Sequence, residues 1–567
     1  MVSVTPKVPV ILLYTLQNTI PKVQQRPNST LATKIISLVN QGQSRKGLLL
    51  FNQLQSFEVR VTGFLLTAVL KCCARLEALN EGKQTHCVIF KYGFNKDLIL
   101  MTSLMDMYFK SRSVFEARNV FDEMADRDVI AVNGMISGLC RCSLTSEAVQ
   151  IFENMFEKDV GSWNSLISGL GQNMEGLRAL NFFRRMRSEG MKIDLTTMVS
   201  VLSVSADLAA LVNGQQVHCL VIKHGFEMYL PIGNATVDMY AKSGCINDAL
   251  LCFNNITSRN VVSWTSLIVG LGKHGLGYEA LRAFDQMEME GVVPNNVTFL
   301  GVLYACSHAG LVEQGLKIFN KMIYKYSIQP MMEHYTCMVD LLGRAGKLEE
   351  ARVFIEKMPV NPDVKLLTAF LSSCFSFMNV ELTRKVGEQL LELQPDDAGA
   401  YILLSNFYGL VGDLEGVAKV RRLMSSRGIR KEKACTWIEI RGKVHVFESG
   451  DRSHLLHKEI YSYLEELIRK MKKIGYVPNL SLVVQNVDDQ RKEEILSGHS
   501  EKLAIVFGLL STPPGSMITI VKNLRICVDC HAATAFISKI AGREIVARDS
   551  SRFHRFKDGV CSCGNHW

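Results

Sequence analysis

The sequence predicts a mainly α-helical repeat solenoid followed by a smaller C-terminal α/β domain. Three observations carry this expectation. "NGMISGL" (Asn133 to Leu139) recurs as "NSLISGL" (Asn164 to Leu170) and "TSLIVGL" (Thr265 to Leu271), at offsets of 31 and 101 residues. Such units also carry a second segment with Ala, Phe and Met at helical spacing, as in "FEARNVFDEM" (Phe115 to Met124), "SEAVQIFENM" (Ser146 to Met155) and "YEALRAFDQM" (Tyr278 to Met287). Near the end, strand-like "SMITIVKN" (Ser516 to Asn523) and "REIVARD" (Arg543 to Asp549) alternate with helix-like stretches.

Taken in order, the first 57 residues contain no Asp or Glu but carry Lys7, Lys22, Arg26, Lys34, Arg45 and Lys46. That is the composition of an organellar transit peptide, expected over residues 1–27. The longest apolar stretch there, Val8 to Leu16, is well short of the roughly 18 to 20 residues that cross a bilayer, so no membrane association is expected. The 567 residues are 47% hydrophobic and 21% charged, a composition that excludes disorder as the default state. A net charge of +9 is compatible with a polyanion-binding face without establishing one. Most of the 16 cysteines lie singly in helical stretches and read as reduced core residues. The last 70 residues group four of them, as Cys-x-x-Cys and Cys-x-Cys.

"MDMY" (Met105 to Tyr108) returns as "VDMY" (Val237 to Tyr240) after 132 residues, and both 101 and 132 are sums of units of 31 and 35. A repeat with two unit lengths is implied. Each unit is a helix pair whose apolar faces only its neighbours can cover, which makes a solenoid with one concave side. Its Phe and Met stripe is core.

In these residues the chain resembles the plant pentatricopeptide-repeat family, in its subclass with alternating repeat lengths and a C-terminal deaminase-like domain. The resemblance runs from about Asn28 to Trp567 and implies a right-handed superhelix of about ten repeats over 28–363. Less regular extension motifs follow over 364–476, ending in a hairpin at Thr436 to Phe447 around Arg441-Gly442. "GYVPN" (Gly475 to Asn479) marks the expected boundary to a deaminase domain over 477–567.

The fifth residue of a unit's first helix and the unit's last residue should lie together on the concave side. They pair as Thr102 with Asp128, Asn133 with Asp159, Asn164 with Asp194, Asn234 with Asn260, Thr265 with Asn295, and Thr336 with Asp363. Such short polar side chains suit the Watson–Crick edge of an unstacked base, one base per repeat. The competing reading is that they are helix caps. The resemblance implies a code that gives the RNA G-U-U-n-Y-A-n-G, four nucleotides upstream of a target cytidine. The two n positions fall at Val199 with Tyr229 and Leu300 with Met331, for which the code has no match.

In the terminal part, His499 and Glu501 open an apolar helix, and Cys527 and Cys530 open another 28 residues after His499. This is the zinc nucleoside-deaminase pattern. His499, Cys527 and Cys530 supply three ligands with one position open, and Glu501 is placed to shuttle protons during attack of water on carbon 4 of cytosine. A structural zinc would instead close with a fourth protein ligand.

A Cys-x-Cys in extended backbone points both sulfurs one way, and the resemblance assigns His531, His554, Cys561 and Cys563 to a second, structural zinc, about two ions per chain in all. The chain departs from the family pattern at Ile526, where the deaminase signature has proline, at Ala535, where lysine is common, in "RFHRF", whose second position is usually His, and at Asn565-His566-Trp567, where the family ends Asp-Tyr-Trp. The expected function is sequence-specific binding of single-stranded organellar RNA, not DNA, in C-to-U editing, with deamination by the chain's own zinc site. The alternatives are a recognition factor that recruits a deaminase, alone or with other editing-complex proteins, and a protein-interaction solenoid. A mitochondrial address is favoured over a chloroplast.

Overall fold

The computed structural model describes residues 29–54, 61–396, 398–430, 433–483 and 487–564. The expected leader and the triplet Asn565-His566-Trp567 lie outside these residues. Contacts divide the chain into two compact units, one ending at Asn173 and one spanning Met174–Trp567.

In the first unit, helix pairs Gly63–Leu76 with Leu79–Lys91, Leu98–Lys110 with Val114–Glu123, and Val129–Arg141 with Thr145–Asn154 precede the helix Val160–Gln172. Most first helices start behind a carboxylate. Asp97, Asp128 and Asp159 each accept the N–H three residues on, satisfying a donor that the helix itself leaves open. Between the pairs, Trp163 is fully buried and meets Phe152 edge-on at 4.8 Å. Gly138 is required for the close approach of two helices, since a Cβ there would collide with the ring of Phe109.

The second unit continues the pattern with first helices at Leu195–Leu208, Leu230–Lys242, Val261–Lys273, Asn296–Ala309 and Met332–Arg344, and two further pairs reach Ser426. Trp264 repeats the packing of Trp163, 4.7 Å from Phe253. A six-stranded sheet follows, in the order β2-β1-β3-β4-β5-β6. Its strands are β1 (Cys435–Ile440), β2 (Lys443–Glu448), β3 (Ile518–Lys522), β4 (Ile545–Arg548), β5 (Phe553–Lys557) and β6 (Val560–Cys561). Only β3 and β4 are parallel, joined through the helix Val528–Ala541.

The expected division at residues 476 and 477 does not follow the packing. Trp437 and Ile438 of β1 pair with Val521 and Ile520 of β3, so the hairpin belongs to the terminal sheet. The helix His457–Lys473 buries Ile460, Leu464, Leu467 and Met471 in the same core as Phe507, Ile520 and Ile537. The physical domain therefore starts at β1.

Within this second unit the terminal domain lies against the ends of the first helices. Arg548 Nη1 donates to the carbonyls of Ala206 (2.9 Å) and Lys242 (3.2 Å), and Trp437 Nε1 to that of Leu208 (2.7 Å). The helix Leu211–Lys223 has no capping side chain of its own at Ala210. Glu439 of β1 supplies one, accepting from the Val212 and Asn213 amides at 2.8 and 3.2 Å. His274 stacks on Phe553 with centroids 4.2 Å apart.

Candidate metal centres and base-reading positions

Two His/Cys groups form in the terminal domain. In the first, His499 Nδ1 lies 3.4 Å from Cys530 Sγ and 3.6 Å from Cys527 Sγ. Both cysteines sit where the helix Val528–Ala541 begins, Cys527 as its N-cap with its sulfur accepting from the Cys530 amide at 3.3 Å. The Cys527 thiol is drawn down to about 4, chiefly by its hydrogen bond with Cys530 and against burial, with His499 adding to the effect. Burial pushes the Cys530 thiol up.

Glu501, 1% exposed, forms an ion pair with Lys522 at the end of β3 and accepts from the Ser500 hydroxyl at 3.2 Å. Burial resists its ionisation, but Lys522 and then His499 hold it below the usual carboxylate range. Beside it is a group that sequence reasoning missed. Lys502 is 1% exposed and donates to the Leu496 carbonyl (2.9 Å), Asp529 Oδ2 (2.6 Å) and Cys530 Sγ (3.6 Å). Asp529 also accepts from Tyr476 Oη at 2.8 Å and the Asn479 amide at 3.1 Å. A lone lysine within the apolar run "KLAIVFGLL" was the available signal.

In the second group, Cys563 Sγ lies 3.3 Å from His531 Nε2, and Cys561 Sγ 3.7 Å from His554 Nδ1. The other face of His554 meets Asp549 Oδ2 at 3.5 Å, the usual orienting partner of a ligating imidazole. Burial opposes protonation of His554, but Asp549 and Cys563 together outweigh it and raise its affinity for a proton. Asp549 also holds the amides of Ile526 (3.1 Å) and Arg552 (2.8 Å).

On the solenoid, Asp128, Asp159, Asp194, Asn260, Asn295 and Asp363 all cap the helix that follows them. The capping reading of these positions is therefore physically real. In the first unit, Asn133 Nδ2 donates to Asp159 Oδ1 at 3.1 Å, so this pair does meet, while Thr102 lies in Leu98–Lys110, the first helix of the pair before Asp128, and Asn164 is buried. In the second unit, Thr265 reaches Asn295 through the hydroxyl of Thr298, at 2.8 and 3.0 Å. Thr336 bonds back to the Met332 carbonyl at 2.9 Å. The amide oxygens of Asn133 and Asn234 are buried without a hydrogen-bond partner among the described residues. A cap explains the Asp and Asn at the unit ends, but not these.

Two cavities, of about 940 and 820 Å³, are lined by none of the residues of either His/Cys group. A smaller one of about 240 Å³ reaches Lys522, the partner of Glu501.

Fold and site together define a helical-repeat solenoid that carries an α/β domain with two His/Cys clusters. The pattern of the DYW family of nucleic acid deaminases matches residues 475–567, the E motif 377–439, and the PPR repeat 99–129, 130–160, 161–191, 297–326 and 333–361. The chain is 40% identical to the pentatricopeptide repeat-containing protein At1g11290, chloroplastic, of Arabidopsis thaliana, over 94% of its own length and 62% of that protein's. With the putatively named At3g13770, mitochondrial, of the same plant it shares 37% identity over 94% of this chain and 81% of that one. Among solved structures, the pentatricopeptide repeat protein PPR10 from maize matches with a TM-score of 0.45 at 14% identity, covering 91% of this chain and 72% of that one. The chain belongs to the pentatricopeptide repeat-containing protein family.

Proposed function

We propose that the chain binds single-stranded RNA in an organelle, one base per repeat, and converts a cytidine near the bound stretch to uridine with its own zinc site. The observation that carries the reading is the difference between the two His/Cys groups. One has three ligands beside a buried glutamate, and the other has four. Zinc bonds of about 2.3 Å to sulfur and 2.0 Å to nitrogen at the tetrahedral angle separate the two donor atoms by about 3.5 Å. The nitrogen–sulfur distances of 3.4 and 3.6 Å in the first group, and 3.3 and 3.7 Å in the second, fit that spacing.

His499, Cys527 and Cys530 would hold the catalytic ion, and His531, His554, Cys561 and Cys563 the structural one. When bound at the open set, zinc supplies a Lewis acid that makes water nucleophilic near neutral pH. Glu501 is the proton carrier. Ionised beside Lys522, it would take one proton from the attacking water and deliver it to the ring nitrogen of cytosine, then take the remaining proton from the added hydroxyl and pass it to the amino group, which leaves as ammonia. Lys502 holds Asp529 and Cys530 together, so the helix start stays in place. On the solenoid, Asn133 and Asn234 hold buried amide oxygens without a partner among the described residues, which become acceptors for a base edge when the side chains turn outward.

The experiment is to incubate the purified chain and zinc with RNA carrying G-U-U-n-Y-A-n-G-n-n-n-C, and to compare Glu501→Ala. Conversion falls by about 10²- to 10⁴-fold in the variant while binding is retained. Specific binding without conversion by the unaltered chain would replace catalysis in cis with a recruiting role. Unchanged affinity after scrambling the predicted bases would reject the base reading. The organellar address rests on the acid-free leader and on the chloroplastic and mitochondrial names of the two relatives. We favour the mitochondrion, which import into isolated organelles would test.

A further inference from the structure

The cavity of about 240 Å³ lies where the solenoid meets β3, β4 and the turn into β5, within the second unit. Its wall carries four cations, Lys273, Lys522, Arg548 and Arg552, and two carboxylates, Asp207 and Asp549. The carboxylates are already engaged. Asp207 pairs with Lys242 at 3.1 Å, and Asp549 accepts from the amides of Ile526, Ser551 and Arg552 and faces His554. Lys522 is taken by Glu501.

Of the other three, Arg552 donates to the His308 carbonyl at 3.3 Å, while Arg548 and Lys273 form no ion pair among the described residues. Among the described residues Arg548 donates to the backbone carbonyls of Ala206, Asp207 and Lys242, and Asp207 and Asp238, both in contact with Lys242, act on Arg548 and Lys273 only from beyond ion-pair distance. Withdrawing cations from water without an anion is unfavourable, so the folded chain presents an unmet demand for negative charge. Burial first, and then Arg548 and Lys242, push the Lys273 ammonium down to about 8, as expected of crowded cations. The volume matches about eight waters at roughly 30 Å³ each, and falls below the roughly 300 Å³ at which pockets begin to enclose a whole drug-sized ligand. It accommodates a phosphate or diphosphate, not a complete nucleotide.

We propose that this cavity binds a phosphate group, supplied by the backbone of a bound RNA or by a free phosphate compound. The RNA source rests on the RNA-binding reading above, and the free source does not. Either one places an anion beside Lys522, whose ammonium is shared with the glutamate of the candidate active site.

The test uses the full chain with zinc and inorganic pyrophosphate, titrated calorimetrically at low salt. The unaltered chain binds pyrophosphate. Lys273→Met weakens binding at least tenfold, while Lys273→Arg stays within about threefold because the charge is kept. Ser550 is exposed on the cavity wall, so Ser550→Asp adds an internal anion with little risk to folding and should weaken binding as much. In a second arm the same protein is titrated with the predicted RNA. Competition by pyrophosphate, with a salt slope lowered by about 0.7 in Lys273→Met, assigns the phosphate to the strand. Pyrophosphate binding without such competition assigns it to a free compound. Absent pyrophosphate binding, or binding unchanged in both Lys273→Met and Ser550→Asp, overturns the proposal whatever the RNA arm gives.

Discussion

Asp159 is the residue at which capping and base reading can be pulled apart. Its Oδ1 accepts from the Ser162 amide (2.7 Å), the Ser162 hydroxyl (2.8 Å) and Asn133 Nδ2 (3.1 Å). Replacement by alanine removes the cap of the helix Val160–Gln172 and costs about 1 kcal/mol, within a range of about 0.5–2. Asparagine is an equally good cap, so Asp159→Asn should leave stability within a few tenths of a kcal/mol. It does, however, turn an acceptor-only group into one that also donates. If Asn133 and Asp159 read the second base of G-U-U-n-Y-A-n-G, the preference for U over C there should fall by about 1–3 kcal/mol, roughly 5- to 150-fold. The assays are urea unfolding and equilibrium titration of RNAs with U or C at that position. Loss of stability in Asp159→Asn equal to that in Asp159→Ala, with no change in U/C preference, would refute the reading and leave Asp159 a cap alone. Acid provides an internal control. Burial works against the Asp159 charge, but the bonds from Ser162 and Asn133 hold its pKa below the ordinary 3.8. Its contribution is therefore complete above pH 3.8 and lost as pH falls through the lower folded value.

Zinc content should drop from about two to about one per chain in Cys561→Ser or Cys563→Ser, and likewise in His499→Ala, by metal analysis of the purified protein. Lys502→Met leaves Asp529 buried without its cation and should destabilise the chain by about 3–5 kcal/mol in urea, with partial recovery in the double variant with Asp529→Asn. Contact of the terminal domain with the solenoid ends should weaken in acid. His274 and His308 are pushed, mainly by burial, from 6.5 to about 4 and about 3, so the released state binds more protons below pH 6.5. The contact is complete above pH 6.5 and is lost progressively towards pH 4. Hydrogen exchange at the Val212 and Asn213 amides, covered by Glu439, should speed up over that window; unchanged protection would count against it.

Repetition made the solenoid legible, because each helix pair reuses the same cap, aromatic and methionine positions. The two His/Cys groups were legible for a different reason. His499 with Glu501, Cys527 with Cys530, and Cys561 with Cys563 are close pairs in the chain, so local backbone geometry nearly fixes their relation. Partners supplied by remote strands were not. Lys522, on β3, meets Glu501 of the preceding helix only once the sheet has formed, and Asp549 meets His554 only once the turn between β4 and β5 has formed. The hairpin of β5 and β6 was missed although Asp558-Gly559, both at positive φ (51° and 86°), is a strong turn signal. The Gly and Pro near residue 476 agree with the start of the deaminase-family match at 475, while the sheet draws β1 and β2 from before that point into the same core. Glu439 and Arg548 could not be anticipated at all, since each bonds a backbone group more than 220 residues away.

The second metal set gains its meaning from its position. Cys530 and His531 are successive residues of one helix, where side chains diverge by about 100°, so the helix Val528–Ala541 serves both sets from different faces. Asp549 completes the link: it accepts the amide of Ile526, directly before Cys527, and orients His554 of the other set. A displacement of β5 or β6 is therefore transmitted to the first turn of that helix, where Cys527 and Cys530 stand. A mobile chain end could not hold those sulfurs to the few tenths of an ångström that a three-ligand site demands. If the proposed ions are bound, Cys561 and Cys563, which lie beside His554 and His531, would brace the helix start that carries Cys527 and Cys530.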